Sequence, residues 1–240
     1  MGKTKKDHPG ADPNALISRA ADFCIGGSMD GDYLEFGVFN GRSFAAAYDA
    51  FSRAYRQVIE RYGFLMSEDV KGWINERWSA MRFWGFDSFE GLPSVKGVDT
   101  GGPFKQGDYA CSLESVESNL RRSGVDLDRV RLVKGWYDEV LDDAALARFE
   151  GRKASVIHVD CDLYESAKTV LDFCTPLVMD GTVVIFDDWF QFRGHPDKGE
   201  QRAFREWLIS NPHLSATEYH KEGVWRNSFI LNERAAAQPA

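Results

Sequence analysis

The sequence lacks a surplus of basic residues and any strongly basic region. Asp and Glu number 37 against 29 for Lys and Arg, which gives a formal net charge of -8. Nucleic-acid-binding proteins usually carry a basic face or basic runs, and the one run here is Lys3, Lys5 and Lys6. We therefore expect neither a nucleic acid nor an anionic membrane surface as the main partner.

Cysteine is scarce, and long apolar runs are missing. The four cysteines contain no C-x-x-C pair, so we expect reduced, buried thiols in a cytoplasmic protein. No apolar stretch approaches the roughly 20 residues of a spanning helix. The opening MGKTKKDHPG has no apolar core of a secretory signal.

The rest of the composition is typical of one folded domain. The chain has 240 residues, of which 43% are hydrophobic and 13% aromatic, enough to build one core. Charge, proline and glycine in residues 1–13, and the alanine-rich end of 233–240, predict flexible termini. Residues 14–232 are expected to form a single domain.

Short apolar segments alternate with helix-compatible segments, which predicts a parallel sheet with crossover helices. The expected strands are 33–38, 82–86, 130–133, 155–159 and 182–186, and the expected helices lie within 42–80, 112–123, 138–150, 164–178 and 199–210. Segments 214–220 and 225–231 predict a closing antiparallel hairpin. The fold class is therefore α/β, with a doubly wound, mostly parallel, seven-stranded Rossmann-like sheet.

Two predicted loops, 88–110 and 189–198, follow the carboxyl ends of strands. Ligands bind on that side of an open α/β sheet, and long loops there are often lids or binding loops. The first contains five glycines and two prolines, which suggests that it opens and closes over a substrate.

The segment EFGVFNGRS, from Glu35 to Ser43, follows a predicted strand and opens a helix. Glycines let the backbone approach a ligand, and the N–H groups of the helix start point into the same space. The carboxylate of Glu35 would repel a pyrophosphate but attract the ammonium group of a methionine moiety. A plain turn that needs glycine for its geometry is the alternative interpretation.

Asp87 ends the second predicted strand, where a carboxylate can accept hydrogen bonds from ribose hydroxyls; capping of a following turn is the alternative. It follows Gly41 by 46 residues, against about 20 in the usual nucleotide fold. An extra helix within 51–80 would explain the difference. After the third strand, Gly135 and Trp136 either border a cofactor or simply pack.

Four aspartates follow the fourth and fifth strands, in the segments DCD and DDW. Carboxylates gathered in a partly desolvated cleft repel one another, and hard oxygen ligands suit Mg²⁺, Mn²⁺ or Ca²⁺. A divalent cation is therefore expected. In the alternative interpretation, one or two of these side chains cap helices or pair with arginines.

Together these motifs resemble the TylF-like sugar O-methyltransferases of the macrocin, mycinamicin and novobiocin type, which have the class I methyltransferase fold. The resemblance covers residues 30–232 and depends on YLEFGVFNGRSF, FWGFDSFEGLP, VDCDLYES and VVIFDDW, in that order. It implies transfer of a methyl group from S-adenosylmethionine to a hydroxyl of a sugar or polyol, with Mg²⁺ as the expected metal.

The resemblance also implies roles for individual residues. Asp162 matches the general base, and the metal ligands match Asp160, Asp187 and Asp188. The expected cofactor-binding residues are Glu35, Gly37, Asn40, Gly41, Ser43, Asp87, Ser88, Gly135, Trp136 and Asp160.

Other functions stay open at this point. A catechol O-methyltransferase would use a metal in the same way, a D-x-D glycosyltransferase also binds a metal, and a non-catalytic binding protein could keep the fold. The aromatic-rich segment 51–84 fits an interface between copies in a homo-oligomer as well as core packing.

Overall fold

The computed structural model describes residues 14–234. The flexible ends predicted for 1–13 and for most of 233–240 lie outside the described residues. Glu233 and Arg234 are held by hydrogen bonds from their N–H groups, which donate to Asp180 Oδ1 at 2.6 Å and to the His213 carbonyl at 2.7 Å.

The described residues form a seven-stranded sheet with the order β3-β2-β1-β4-β5-β7-β6. Strands β1 to β5 run parallel, whereas β7 is antiparallel to both β5 and β6. The predicted doubly wound sheet with a terminal antiparallel hairpin is thus confirmed. The strands are β1 Gly31–Phe36, β2 Phe83–Asp87, β3 Val130–Lys134, β4 Lys153–Val159, β5 Val183–Phe186, β6 Leu214–Glu222 and β7 Arg226–Glu233.

Helices cover both faces of this sheet. They are α1 Ala15–Gly26, α2 Arg42–Tyr62, α3 Glu68–Ala80, α4 Leu113–Arg122, α5 Tyr137–Val140, α6 Asp143–Ala147, α7 Tyr164–Cys174, α8 Gln191–Gly194 and α9 Gly199–Ser210. In the short α8, Phe192 and Arg193 adopt left-handed backbone angles.

Two hydrophobic clusters, one on each face, hold the sheet in the middle of the molecule. Every residue of β1 is buried, as expected for a central strand covered by helices on both sides. Helix α2 contributes Phe44, Ala47, Phe51 and Ala54 to one cluster, and their spacing of three or four residues puts them on one helical face.

Two segments predicted to be helical each contain two α-helices. Segment 42–80 divides because Ser67 starts a new helix at α3, where its hydroxyl accepts the Val70 N–H and Glu68 and Asp69 occupy the first turn. Segment 138–150 forms only α5 and α6, because Asp142 caps Ala145 N–H at 2.8 Å. Helix α1 was not expected from the sequence.

The extra helix expected within 51–80 is confirmed as α3. Trp78 packs into the core, with Tyr55 at 5.4 Å between ring centroids and the Arg129 guanidinium 3.6 Å above its ring. In contrast, Tyr62 and Trp73 are 52% and 42% exposed. The aromatic side chains of this segment therefore lie partly in the core and partly at the surface.

The cysteines and the lengths of the helices were also the subject of sequence predictions. Cys24, Cys161 and Cys174 are buried, Cys111 is partly exposed, and all four are free thiols. Within residues 14–234, no helix combines the length and apolarity needed to cross a membrane.

Asp32 in β1 anchors the amino end of the sheet, away from the carboxyl ends of the strands. It is fully buried; Oδ1 accepts from Arg152 Nε at 2.8 Å and Oδ2 accepts from Trp84 Nε1 at 3.0 Å. Asp32→Ala leaves these buried donors without an acceptor, so we expect the free energy of unfolding to fall by about 3 kcal/mol. Urea denaturation measures it.

The matched control is Asp30→Ala. Asp30 pairs with the same Arg152, at 3.2 Å, but its side chain is 47% exposed. Its removal should cost less than about 1 kcal/mol. Equal losses for the two variants would contradict the assignment of Asp32 as the buried anchor.

Candidate active site

A cavity of about 600 Å³ opens at the carboxyl ends of the parallel strands. Its wall combines the turns that follow β1, β2, β3 and β4 with part of the 88–110 loop. This is the side of an open α/β sheet where ligands bind.

Gly37, directly after β1, lies where a backbone contact leaves no room for a side chain. Its φ is +96°, and a Cβ atom there would lie 1.8 Å from the carbonyl oxygen of Asp160. Asp160 N–H in turn donates to the Phe36 carbonyl at 2.8 Å. The close approach that the sequence suggested for a ligand is thus made to the backbone after β4, and it brings Asp160 beside the β1 turn.

Glu35 lies beneath the cavity, completely buried, and not on its wall. Its Oε1 accepts from Ser43 Oγ at 2.7 Å and its Oε2 accepts from Tyr33 Oη at 2.5 Å. Ser43 does line the cavity. Glu35 therefore supports the wall through Ser43, and its direct contact with a cofactor stays a prediction.

Asp87 joins two loops across the cavity floor. Its Oδ2 accepts Phe39 N–H at 2.9 Å and its Oδ1 accepts Phe89 N–H at 2.7 Å. Burial raises the pKa of Asp87 above its ordinary value, although these backbone N–H groups oppose the shift. Each oxygen has a second lone pair for a ligand hydroxyl.

Most predicted cofactor residues come together. Those on the wall are Gly37, Asn40, Ser43, Asp87, Ser88, Gly135, Trp136 and Asp160. Gly41 lies behind the wall. Its φ of +80° favours glycine, and an added Cβ atom would lie only 3.1 Å from the Leu120 side chain.

Asp162 occupies a strained turn between β4 and α7. Its φ is +64°, and Leu163 N–H donates to the Cys161 carbonyl at 2.6 Å, which closes a three-residue γ-turn. Left-handed angles are unfavourable for residues other than glycine, and such strain is concentrated at functional sites. The side chain is buried but belongs to the cavity wall.

Three carboxylates form a group that suits a cation. Oxygen atoms of Asp160, Asp162 and Asp188 lie within 4.8 Å of one another. An all-oxygen donor set fits Mg²⁺, Mn²⁺ or Ca²⁺ and does not favour zinc. We call these three side chains the acidic cluster.

Asp187, also predicted as a metal ligand, has other neighbours. It forms an ion pair with Arg226 of β7 and, with His158 and Asp160, makes a second group of possible ligand atoms within 4.8 Å. Asp160 thus lies close to both of the other predicted ligands, but Asp187 and Asp188 belong to different groups.

His158 is buried beside this site, between two carboxylates. Its Nδ1 lies 3.1 Å from Tyr33 Oη, which already donates its proton to Glu35, so Nδ1 must be the donor. Its Nε2 lies 3.7 Å from Asp187 Oδ1. Burial alone would lower the pKa of His158, but Asp187, Glu35 and Asp160 raise it to about 10.

Sequence reasoning missed Arg226, Asp99 and Glu200. Arg226 is 39 residues from its partner Asp187. Glu200 is buried at the start of α9, and its Oε2 accepts Asp188 N–H at 3.0 Å. Burial, followed by the charge of Asp188, raises the pKa of Glu200 well above its usual range. No local motif marks these residues, because each acts across a long separation in the sequence.

Solved structures with this architecture define the class. The O-methyltransferase NovP has a TM-score of 0.66 with 23% identity and covers 92% of this chain and 79% of its own. CalS11, a calicheamicin methyltransferase, has a TM-score of 0.64 with 24% identity and covers 90% and 77%. The chain has the class I methyltransferase fold.

The sequence comparisons then give the family. Residues 69–206 match the model of the macrocin O-methyltransferase (TylF) family, and the chain belongs to that family. The matched segment contains Asp87 and all four aspartates that follow β4 and β5, whereas the Glu35–Ser43 turn precedes it.

Two curated relatives are similar over most of this chain. A tetracenomycin 4'-O-methyltransferase from Streptomyces olivaceus, whose named substrate carries a dimethoxyrhamnosyl group, is 32% identical over 67% of this chain. Mycinamicin III 3''-O-methyltransferase from Micromonospora griseorubida is 25% identical over 72% of it. The chain spans 54% and 61% of the length of these relatives.

The raised pKa of His158 predicts a pH dependence. Its pKa is about 10 in the fold against 6.5 ordinarily, so protonation stabilises the folded state. This contribution is complete below pH 6.5 and is lost as the pH rises through 10. In ¹⁵N NMR spectra of the metal-free protein at pH 8.5, both His158 nitrogens should carry protons. A neutral imidazole at that pH would contradict the assignment.

Proposed function

We propose that this protein is an S-adenosylmethionine-dependent O-methyltransferase that methylates a hydroxyl of a sugar or polyol group, assisted by a divalent cation. One observation carries the proposal: two members of the acidic cluster, Asp160 and Asp162, share a cavity with the turns of a class I methyltransferase fold. Membership of the TylF family supports it.

The residues after β1, β2 and β3 are the proposed binding site for S-adenosylmethionine. Asp87 would accept hydrogen bonds from the ribose hydroxyls, while Gly135 and Trp136 border the same part of the cavity. Bound there, the cofactor would supply an activated methyl group on a cationic sulfur. The carboxylates of Asp160 and Asp162, which line the same cavity, suit that positive charge.

The proposed metal ligands include two members of the acidic cluster, Asp160 and Asp188, whereas Asp162 has a separate role. Asp160 and Asp188 belong both to the ligand set that the family resemblance implies and to the cluster. Asp187 completes the implied set, and it would then exchange its pairing with Arg226 for the metal. A bound Mg²⁺, or Mn²⁺ or Ca²⁺ in its place, would lower the pKa of an acceptor hydroxyl and orient it.

Asp162 is the proposed general base. The γ-turn holds its carboxyl group next to Asp160 at the cavity wall. From there it would accept the proton that the acceptor hydroxyl loses as the new carbon–oxygen bond forms. A positioned carboxylate contributes about 10²- to 10⁴-fold in such a role.

The relatives indicate the acceptor class. A rhamnosyl group is named in the substrate of the Streptomyces olivaceus relative, and one structure of CalS11 is described as a TDP-rhamnose 3'-O-methyltransferase. We therefore propose a sugar hydroxyl as the acceptor. A catechol, whose adjacent hydroxyls could bind a metal in the same way, is the alternative that the experiment must separate.

The test is release of S-adenosylhomocysteine across a panel of rhamnosides, other glycosides and catechols, with Mg²⁺ or with a chelator. We expect turnover with at least one sugar acceptor and its loss in chelator. Turnover with catechols alone would refute the sugar acceptor. Full activity in chelator would refute the role of the metal, and the absence of cofactor binding would refute the enzymatic function.

Asp162→Asn tests the base directly. The amide keeps the size of the side chain but cannot take the proton, so we expect kcat to fall about 100-fold or more with little change in metal affinity. Asp172→Asn is the control, since Asp172 is an exposed carboxylate on α7 paired with Lys168 at 3.0 Å. Wild-type kcat in Asp162→Asn would show that another group accepts the proton.

A further inference from the structure

Asp99 is a buried carboxylate within the 88–110 loop, and it has no role in the proposed function. It is 2% exposed and belongs to the cavity wall. Most buried carboxylates need hydrogen-bond donors to offset the loss of water. The donors that Asp99 finds come from two different helices.

The two carboxylate oxygens of Asp99 connect the starts of α7 and α9. Oδ2 accepts Tyr164 N–H at 2.6 Å, and Oδ1 accepts Gly199 N–H at 3.0 Å. Backbone N–H groups in the first turn of a helix have no partner within the helix, and a negative charge there is favourable. One side chain therefore joins three segments that are far apart in the sequence.

Each helix start lies next to a residue of the acidic cluster. Tyr164 is two residues after Asp162, and only the γ-turn at Asp162 separates it from β4. Gly199 precedes Glu200, whose carboxyl group accepts Asp188 N–H at 3.0 Å. Asp99 thus holds the helix start that follows Asp162. It also holds Gly199, the neighbour of the Glu200 that binds Asp188.

An aromatic contact holds the 88–110 loop in this position. Phe192 of the 189–198 loop fits against Gly102 and Gly199, where an added Cβ would lie 2.3 Å and 2.9 Å from its ring. Its centroid lies 5.7 Å from that of Phe104. The two loops are packed together at the place where Asp99 reaches α9.

We propose that Asp99 is a positioning residue for methyl transfer: it fixes the start of α7, and so Asp162, relative to the start of α9, and so Asp188. This inference rests on the proposed function, in which those two carboxylates act together on the acceptor hydroxyl. Asp87 and the turns after β1 and β3 lie outside this connection, so cofactor binding should not depend on it.

Kinetics of Asp99→Ala and Asp99→Asn, with acceptor and Mg²⁺ saturating, test the proposal. A misplacement of about 1 Å can cost about 100-fold, so we expect about that loss of kcat in Asp99→Ala. We expect about tenfold in Asp99→Asn, which keeps one acceptor oxygen. The KM for S-adenosylmethionine should stay within about threefold of the wild-type value, a split that general destabilisation would not produce.

The matched control is Glu90→Gln in the same loop. The Glu90 side chain is 60% exposed and pairs with Lys134 at 3.8 Å, so this variant should retain wild-type kcat. Retention of kcat in both Asp99 variants would overturn the proposal, as would an increase in the KM for S-adenosylmethionine equal to the loss of kcat. Asp99→Asn carries the test if Asp99→Ala does not fold.

Hydrogen exchange separates this inference from the proposed function. In Asp99→Ala, which removes both acceptor oxygens, amides in peptides that span 161–166 and 197–202 should both exchange about fivefold faster or more, as expected for the loss of one hydrogen bond at each start. In Asp99→Asn, which keeps one acceptor oxygen, at least one of the two peptides should do so. If the wild-type protein transfers no methyl group, the proposed function fails, and faster exchange at both helix starts still supports the connection. Unchanged exchange at either start in Asp99→Ala, or at both starts in Asp99→Asn, would overturn it.

Discussion

Repulsion among carboxylates at the ends of β4 and β5 is the constraint on which the site depends. Asp160, Asp162, Asp187 and Asp188 meet there, and Glu200 approaches from α9. Charges of one sign cannot gather in a buried place without compensation. The fold compensates Asp187 with Arg226 and His158, while the raised pKa of Glu200 favours its neutral form. The acidic cluster is where the proposed cation adds positive charge.

The backbone around this site has two unusual positions, Gly37 and Asp162. Gly37 allows the β1 turn to touch the carbonyl of Asp160, a contact that no side chain would permit. Asp162 adopts a left-handed conformation so that its carboxyl group reaches the cavity wall before α7 begins. In the proposed mechanism these two distortions bring the cofactor turn and the general base to the same cavity.

The sequence predicted most of the fold and the chemistry of the site, but not its internal connections. Short apolar segments located the five parallel strands, because burial on both faces produces continuous apolar runs. Two further segments near the end of the sequence predicted the hairpin. The four aspartates were visible because parallel strands bring their carboxyl ends to one edge. The partners of those aspartates were not visible: Arg226, Glu200 and Asp99 come from elements that only the folded chain brings near. Helix α1 was missed, whereas the extra helix within 51–80 was expected, and the Ser67 cap fixes where it starts.

A cation held beside the cofactor is the claim that connects the fold, the acidic cluster and the proposed reaction. The most direct measurement is an anomalous difference map at the manganese edge, from crystals grown with Mn²⁺ and S-adenosylhomocysteine. The account predicts one peak about 2.0–2.6 Å from oxygens of Asp160 and Asp188, typical of such oxygen ligands, with the homocysteine product in the same cavity. An acidic cluster without a peak at saturating Mn²⁺, or a peak elsewhere, would contradict it.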